Sequence, residues 1–269
     1  MKEFFISPGL RSEIVNSPVP QPSPDQVLVR VVAAALNPKE WKAAEQLGLV
    51  LNPGDDMAGI VEGVGANVYE FRPGDRVAAF HESFEPYGIP LVAATAALGL
   101  FSRLRLPPPW DITPDAATRG PLLIYGAGSA VGACTIQLAV RARLHPIIAI
   151  AGRSKDYVAT LIKPSKGDRV FDYRQGIDTG AAQVREAIGD KGIYHAFDCI
   201  SMPGTDDFIG RLIKAEEPNK CSVATDLPRA TKDVSFMKVP SSVQLSSMTG
   251  IPDGVEVKWT YVGSIHKKQ

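Results

Sequence analysis

Pro121-Leu-Leu-Ile-Tyr-Gly-Ala-Gly-Ser-Ala-Val-Gly132 is the stretch that decides the fold of this chain. It joins a short apolar run to a glycine-rich turn, and Ala133-Cys-Thr-Ile-Gln-Leu-Ala-Val140 follows with the spacing of an amphipathic helix. A strand, a tight glycine turn and a helix N-terminus make a phosphate cradle, because glycines let the backbone approach a pyrophosphate and the helix offers free N–H groups. The sequence therefore predicts a dinucleotide-binding unit.

The glycines of this turn are spaced Gly126-x-Gly128-x-x-x-Gly132, one residue longer than the standard dinucleotide fingerprint. A plain strand-to-helix turn in an α/β sheet is the alternative for such a spacing. The predicted cradle residues are Tyr125, Gly126, Gly128, Ser129, Ala130, Val131 and Gly132.

The next predicted strand, His145-Pro-Ile-Ile-Ala-Ile-Ala151, ends in Gly152-Arg-Ser-Lys155. An NAD site carries an acidic residue about 20 positions after the glycine turn, where it binds the ribose 2′-hydroxyl. Here that window holds two cations and a hydroxyl, with no carboxylate before Asp156. These groups suit a 2′-phosphate, although a solvated basic loop is the alternative. We predict NADP(H) as the cofactor, bound also by Gly152, Arg153, Ser154 and Lys155.

Composition narrows the class of protein. The 269 residues include 29 basic and 29 acidic side chains, so no overall charge favours nucleic acid or a membrane surface. The three cysteines form no CxxC pair, which argues against a disulfide framework and indicates a reducing compartment. Residues 120–140 carry no charge, but their glycines and polar residues favour a buried strand-turn-helix over a membrane span. We expect a cytoplasmic protein with a small-molecule substrate.

The chain divides into two halves by pattern. Residues 1–88 are β-rich, with predicted strands at 27–33 and 58–65, a short strand after the turn at Pro73-Gly74, and glycines where strands bulge. In residues 93–269 strands alternate with helices, which predicts an α/β fold with a doubly wound parallel sheet. Its predicted strands are 122–125, 146–151, 169–173, 194–200, 221–225 and 256–262, and its predicted helices are 130–143, 156–162, 180–188 and 206–213; an earlier helical segment is predicted at 91–104.

Further segments occur in a recognisable order through most of the chain: Ala35-Leu-Asn-Pro-Lys-Glu-Trp-Lys42, Pro53-Gly-Asp-Asp-Met-Ala-Gly59, Pro73-Gly-Asp-Arg-Val77, Ala94-Thr-Ala-Ala-Leu98, Val170-Phe-Asp-Tyr-Arg174 and Ala196-Phe-Asp-Cys-Ile200. Together with the glycine turn they resemble the medium-chain dehydrogenase/reductase superfamily. Within it, the chain is most similar to the zinc-free quinone oxidoreductase branch and to fungal trans-acting enoyl reductases. The resemblance implies a GroES-like β-barrel domain over residues 1–92 and a Rossmann-type NADP-binding domain over residues 93–269.

Zinc members of the superfamily have a cysteine in the segment that is Leu36-Asn37 here, and a His-Glu pair where this chain has Asp55-Asp56. Catalytic zinc favours thiolate or imidazole ligands in a three-ligand set that keeps one open position. An amide and two aspartates do not supply such a set, so we predict a site without metal.

Without a metal, the resemblance implies direct hydride delivery from NADPH to an enoyl or quinone-type substrate, with a role in secondary metabolism. It places Lys42 and Thr95 beside the nicotinamide, where a proton or hydrogen-bond donor is needed. Alternatively, Lys42 is a solvent-facing helix residue, and Lys39 stands nearby as another candidate. The alternative for Thr95 is a hydroxyl hydrogen-bonded to a carbonyl of its own helix. Tyr173 is implied to pack near the adenosine phosphate; a half-buried aromatic at a strand end is the alternative.

The chain also departs from the pattern of this family. Relatives continue through more of the barrel after Ala79-Phe-His-Glu-Ser83, and they return to it after the sixth strand, where this chain ends at Gln269. We therefore expect an incomplete barrel. The alternatives to an active enzyme are an accessory protein that binds NADPH without turnover, or a remnant. The resemblance also implies a polyketide synthase partner and either a monomer or a homodimer.

Overall fold

The computed structural model describes residues 1–37, 40–41, 44–45, 48–82, 85–86, 91–111, 120–215, 221–225 and 250–260. By its contacts the chain divides into two compact units, Met1–Leu91 and Val92–Gln269. The second unit is an α/β unit with a parallel sheet, which confirms the predicted fold class. Among the described residues, no helix combines the length and apolar character needed to cross a membrane.

The first unit is built of antiparallel strands. A hairpin that the pattern analysis did not predict joins β1 (Lys2–Ser7) to β2 (Arg11–Asn16). A four-stranded sheet follows in chain order: β3 (Val27–Ala35), β4 (Asp56–Val64), β5 (Arg76–Glu82) and β6 (Glu85–Pro86). Among the described residues, β3 and β6 are the two edge strands of this sheet, and the incomplete barrel stays a prediction. The junction between residues 83 and 90 lies largely outside the described residues.

Gly59 shows why this sheet needs glycine. A Cβ atom at Gly59 would lie 2.4 Å from the carbonyl oxygen of Arg30 on the neighbouring strand β3, where only a hydrogen fits. The β3–β4 register also shifts on both sides of this approach, between Leu28 and Val29 and between Val31 and Ala33. The irregular, glycine-marked strands predicted for this half are therefore present.

The second unit places six parallel strands in the order β12-β11-β10-β7-β8-β9. Its strands are β7 (Leu122–Tyr125), β8 (Ile147–Ala151), β9 (Arg169–Asp172), β10 (His195–Asp198), β11 (Ser222–Thr225) and β12 (Glu256–Trp259). Its helices are α1 (Leu91–Ala97), of which the first residue belongs to the first unit, α2 (Ala130–Arg141), α3 (Lys155–Leu161), α4 (Ile177–Ile188) and α5 (Thr205–Gly210). The strand order reverses between β7 and β10, and open α/β sheets bind ligands at the carboxyl ends of strands at such a point.

Several predicted bounds were too wide. The strand predicted at 194–200 ends at Asp198 because the carboxylate of Asp198 accepts the backbone N–H groups of Ile200 and Ser201, which turns the chain out of the sheet. The helix predicted at 206–213 is shorter, Thr205–Gly210. The segment predicted as one helix over 91–104 is α1 followed by a π-helical stretch, Leu98–Arg103, in which Gly99 lies against the ring of Phe197.

The core of the second unit lies on both faces of the sheet. Along β7, Leu122 and Ile124 pack in one apolar cluster, while Leu123 and Tyr125 pack in the other. The first cluster includes residues of α2 and α3, and the second includes residues of α4 and α5. A strand buried on both faces reads as a continuous apolar run rather than an alternating one, which is the pattern of residues 122–125.

Candidate dinucleotide-binding site

The N-terminus of α2 is capped by Ser129. Its hydroxyl accepts the backbone N–H of Gly132 at 3.0 Å, so one of the unpaired donors of the first turn is satisfied by the side chain. The N–H groups of Ala130 and Val131 have no hydrogen-bond partner within the described part of the chain. Two free donors and the positive end of the helix dipole therefore face the turn, which suits an anionic ligand.

The three glycines of the turn are each required by the geometry. Gly126 has φ +73°, a left-handed conformation that side chains disfavour, and a Cβ there would lie 2.6 Å from Ile200. A Cβ at Gly132 would lie 2.4 Å from the carbonyl oxygen of Gly126, so the helix packs directly against the turn. These are the roles that a dinucleotide fingerprint assigns to its glycines.

Gly128 connects the glycine turn to the loop after β8. A Cβ at Gly128 would lie 1.8 Å from Oγ of Ser154 and 2.7 Å from its Cβ. The Ser154 side chain therefore occupies the space beside Gly128, and only a glycine lets the turn approach this loop so closely. The residues of the turn fit a pyrophosphate because their backbone can be approached closely and because the N–H groups of Ala130 and Val131 have no partner among the described residues.

The loop Gly152-Arg-Ser-Lys155 carries the predicted 2′-phosphate contacts. Gly152 is buried, Ser154 is half-buried, and the side chains of Arg153 and Lys155 are exposed. A Cβ at Gly152 would lie 2.7 Å from the ring of Tyr173, so this ring covers the end of β8. The structure thus brings Tyr173, which is distant in sequence, to the same edge of the sheet as the basic loop.

Tyr125 forms an aromatic group with two other residues. Its ring centroid lies 6.2 Å from that of Tyr173 and 5.3 Å from that of Phe208 in an edge-on arrangement. Burial raises the pKa of the Tyr125 hydroxyl to about 12, with further contributions from the nearby Asp198 carboxylate and from Tyr173. The hydroxyl is therefore protonated at neutral pH and can donate a hydrogen bond.

A polar cluster at the ends of β10 and β11 was not predicted. The fully buried carboxylate of Asp198 accepts the backbone N–H groups of Ile200 and Ser201, at 3.2 and 2.9 Å, and the hydroxyl of Thr205. The hydroxyls of Ser201 and Thr225 are hydrogen-bonded to each other. Small polar residues at predicted strand ends were the available signal, since such ends line the ligand crevice of an open α/β sheet.

Of the two predicted catalytic residues, the structure describes Thr95 but not Lys42. Thr95 lies in α1 and is 5% exposed. Lys42 and its alternative Lys39 lie outside the described residues. Their roles stay predictions.

A hydrogen-bonded cluster occupies the segments where the resemblance implied the zinc ligands of other members, Asn37 and Asp55-Asp56. The Asp56 carboxylate accepts the Asn37 amide at 3.1 Å and the Leu91 backbone N–H at 2.8 Å. The buried Glu40 carboxylate accepts the backbone N–H of Asp55 at 3.1 Å. Burial raises the pKa of Glu40, and the neighbouring Asp55 carboxylate adds to this rise. No group of three or more His, Cys, Asp or Glu side chains within the described ranges is arranged to hold a metal ion.

Comparisons with known proteins agree with this geometry. The model of the alcohol dehydrogenase GroES-like domain matches residues 23–106. The trans-enoyl reductase fsr4 of Gibberella fujikuroi is 34% identical, over 99% of this chain and 82% of that protein. An alcohol dehydrogenase superfamily protein from Novosphingobium aromaticivorans superposes with a TM-score of 0.73 at 22% identity, covering 98% of this chain and 80% of that one. The quinone oxidoreductase of Escherichia coli, solved with NADPH, superposes with a TM-score of 0.68 at 16% identity, covering 99% and 83%.

Proposed function

The chain belongs to the medium-chain dehydrogenase/reductase superfamily of oxidoreductases, and from this premise we propose that it is a zinc-independent, NADPH-dependent reductase of an enoyl or quinone-type substrate. The observation that carries the proposal is the direct approach of Gly128 to Ser154, which joins a bare glycine turn to a basic loop at one edge of the sheet. Such an arrangement accepts the pyrophosphate and the adenosine end of a dinucleotide together.

The chain's own residues would hold the cofactor at three places. The N–H groups of Ala130 and Val131 would donate to the pyrophosphate, and Tyr173 would pack beside the adenosine. The side chains of Arg153 and Lys155 would bind the 2′-phosphate, because hydrogen bonds from a charged donor to phosphate are the strong ones. When bound, the nicotinamide supplies a hydride.

Zinc independence is supported by the first unit. The Asp56 carboxylate already accepts two N–H donors, the side-chain amide of Asn37 and the backbone N–H of Leu91. Asn37, Asp55 and Asp56 supply no thiolate or imidazole group, and catalytic zinc sites are built around such groups. A carbonyl group of the substrate would then be polarised by protein donors, for which Thr95 and Lys42 are the candidates.

The names of related proteins support the substrate class. The relative from Gibberella fujikuroi is a trans-enoyl reductase, and the Escherichia coli structure is a quinone oxidoreductase with NADPH. We propose a small activated alkene or quinone as substrate, a place in secondary metabolism beside a polyketide synthase, and a cytoplasmic location. A homodimer would use β12, which is an edge strand among the described residues, because an edge strand can pair with a second sheet.

An NADPH-binding accessory protein without turnover is the second candidate. The observation that favours it lies in β3 and directly after it, where Val31, Val32 and Leu36 are 49%, 68% and 70% exposed. Exposed apolar side chains on a sheet mark a surface that the described residues leave uncovered. A catalytic unit open at this surface would admit water to the reaction.

Thermal-shift titration with NADPH and NADH, followed by a turnover assay, tests the proposal. Stabilisation by NADPH well beyond that by NADH, with oxidation of NADPH by a quinone or an α,β-unsaturated thioester, supports the reductase. Selective stabilisation without turnover on either substrate class supports the accessory protein. Equal or absent stabilisation by both cofactors contradicts both candidates.

A further inference from the structure

Arg174 is held in a fixed orientation directly after β9. The Asp172 carboxylate, at the end of this strand, accepts the Arg174 backbone N–H at 3.0 Å, Nε at 2.9 Å and Nη2 at 2.5 Å. The hydrogen bonds from Arg174 lower the pKa of Asp172 to about 2, so this carboxylate is charged at any physiological pH. The Arg174 side chain is 51% exposed, and its Nη1 has no hydrogen-bond partner among the residues that the structure describes.

This arginine lies at the same edge of the sheet as the basic loop. β8 and β9 are paired in parallel with Ala151 opposite Asp172, so the residues that follow, Gly152 and Tyr173, meet as well. Lys155 also acts electrostatically on Asp172 and helps to lower its pKa. The Asp172 carboxylate therefore lies within the field of Lys155 and in contact with Arg174.

We propose that Arg174 is a third cation of the 2′-phosphate site and a determinant of cofactor selectivity, with Asp172 as the residue that positions it. The inference rests on the proposed NADPH dependence. Arg153, Lys155 and Arg174 contribute three positive charges and Asp172 one negative charge, which leaves two positive charges to match a phosphate dianion.

The geometry favours a role for Asp172 in orienting the Arg174 side chain over a role in merely neutralising its charge. An arginine carries five N–H donors in a rigid fork. Asp172 accepts from Nε and Nη2, which leaves Nη1 available to donate to an incoming oxygen. An arginine that is oriented in advance loses less side-chain entropy when it binds phosphate.

Titration calorimetry with NADPH and NADH on the full chain tests the inference. We expect Arg174→Gln to weaken NADPH binding about tenfold, the size of one hydrogen bond to a charged group, and to leave NADH binding unchanged. Arg174→Lys should retain part of the preference, because it keeps the charge but not the fork. The matched control is Arg169→Gln, which removes an arginine at the opposite end of the same strand and should leave both affinities unchanged.

Three outcomes overturn the inference, and failure of the cofactor dependence is distinguishable from the other two. If the unmodified chain prefers NADPH and Arg153→Glu abolishes that preference, but Arg174→Gln leaves the ratio of affinities unchanged, then Arg174 is only the structural partner of Asp172. If the unmodified chain shows no preference for NADPH, the proposed cofactor dependence fails together with the inference. Equal weakening of both cofactors by Arg174→Gln, with a lower melting temperature, also overturns it.

Discussion

Gly128 and Ser154 approach so closely that the smallest side chain at position 128 would overlap the serine hydroxyl, with 1.8 Å between Cβ and Oγ. The two residues belong to the turns after β7 and β8, and they are 26 positions apart in the sequence. This contact joins the predicted pyrophosphate cradle to the loop that is predicted to select the cofactor.

Gly128→Ala should lower the melting temperature, because Cβ would overlap the Ser154 side chain. It should also abolish measurable NADPH binding, because it adds a methyl group to a turn that the pyrophosphate must approach closely. Adding Ser154→Gly removes both contacting atoms. The double variant should recover the melting temperature without recovering cofactor affinity. The control Gly63→Ala should change neither, since its Cβ would lie 3.9 Å from Leu28. Retained NADPH affinity in the double variant would contradict the cradle assignment.

Arg153→Glu should weaken NADPH binding by about a hundredfold and NADH binding far less, because the charge reversal acts on the 2′-phosphate. Fluorescence titration of both cofactors measures the ratio. Arg141→Glu, at the exposed end of α2, is the matched control. Equal losses for both cofactors would show that the loop does not bind that phosphate.

Ser129→Ala should destabilise the second unit by about 1 kcal/mol, the usual cost of losing an N-cap. Ser129→Thr should retain most of the stability, because its hydroxyl can accept the Gly132 N–H. Urea denaturation measures both variants, with Ser12→Ala on the exposed hairpin as the control. No loss in Ser129→Ala would mean that the cap does not contribute to the free energy of unfolding.

Thr95→Val should lower kcat for NADPH oxidation by tenfold or more, on the order expected for a lost transition-state hydrogen bond, with little change in NADPH affinity. Thr95→Ser should retain activity, since it keeps the hydroxyl. Lys42→Met is tested in parallel. A normal kcat in both Thr95→Val and Lys42→Met would exclude both residues as donors to the substrate.

Glu40 should make the first unit less stable as pH rises. Burial raises its folded pKa above the ordinary value of 4.5, so the folded state binds the proton more tightly than the unfolded state. The contribution of Glu40 to stability is therefore full below pH 4.5 and is lost as pH rises through the raised pKa. As pH rises through that range, we expect the free energy of unfolding of Glu40→Gln to increase relative to that of the unmodified chain. Denaturation at several pH values measures this difference. Glu13→Gln, on the exposed hairpin, should follow the unmodified chain; a parallel course for Glu40→Gln would contradict the prediction.

Much of the second unit could be predicted because its signals are local. The apolar run of residues 122–125 and the glycine spacing after it indicate a strand and a turn without knowledge of the rest of the chain. The hairpin of β1 and β2 was missed, since its strands show no clear alternation and its pairing depends on contacts across a turn at Gly9 and Leu10. The C-terminal end of β10 was placed too late, because it is set by hydrogen bonds from Ile200 and Ser201 to the Asp198 carboxylate. Only the folded turn brings these groups together.

The features of the candidate site also fall into those that the sequence predicted and those that depend on the fold. The sequence alone determined the glycine turn, the basic loop and the family resemblance, because each depends on residue types at short spacing. Only the tertiary structure decided that Tyr173 covers Gly152, that Gly128 meets Ser154, and that Asp172 orients Arg174 beside the same loop. The physical reason is that parallel pairing brings the carboxyl ends of β7, β8 and β9 to one edge, across connections that local patterns do not describe.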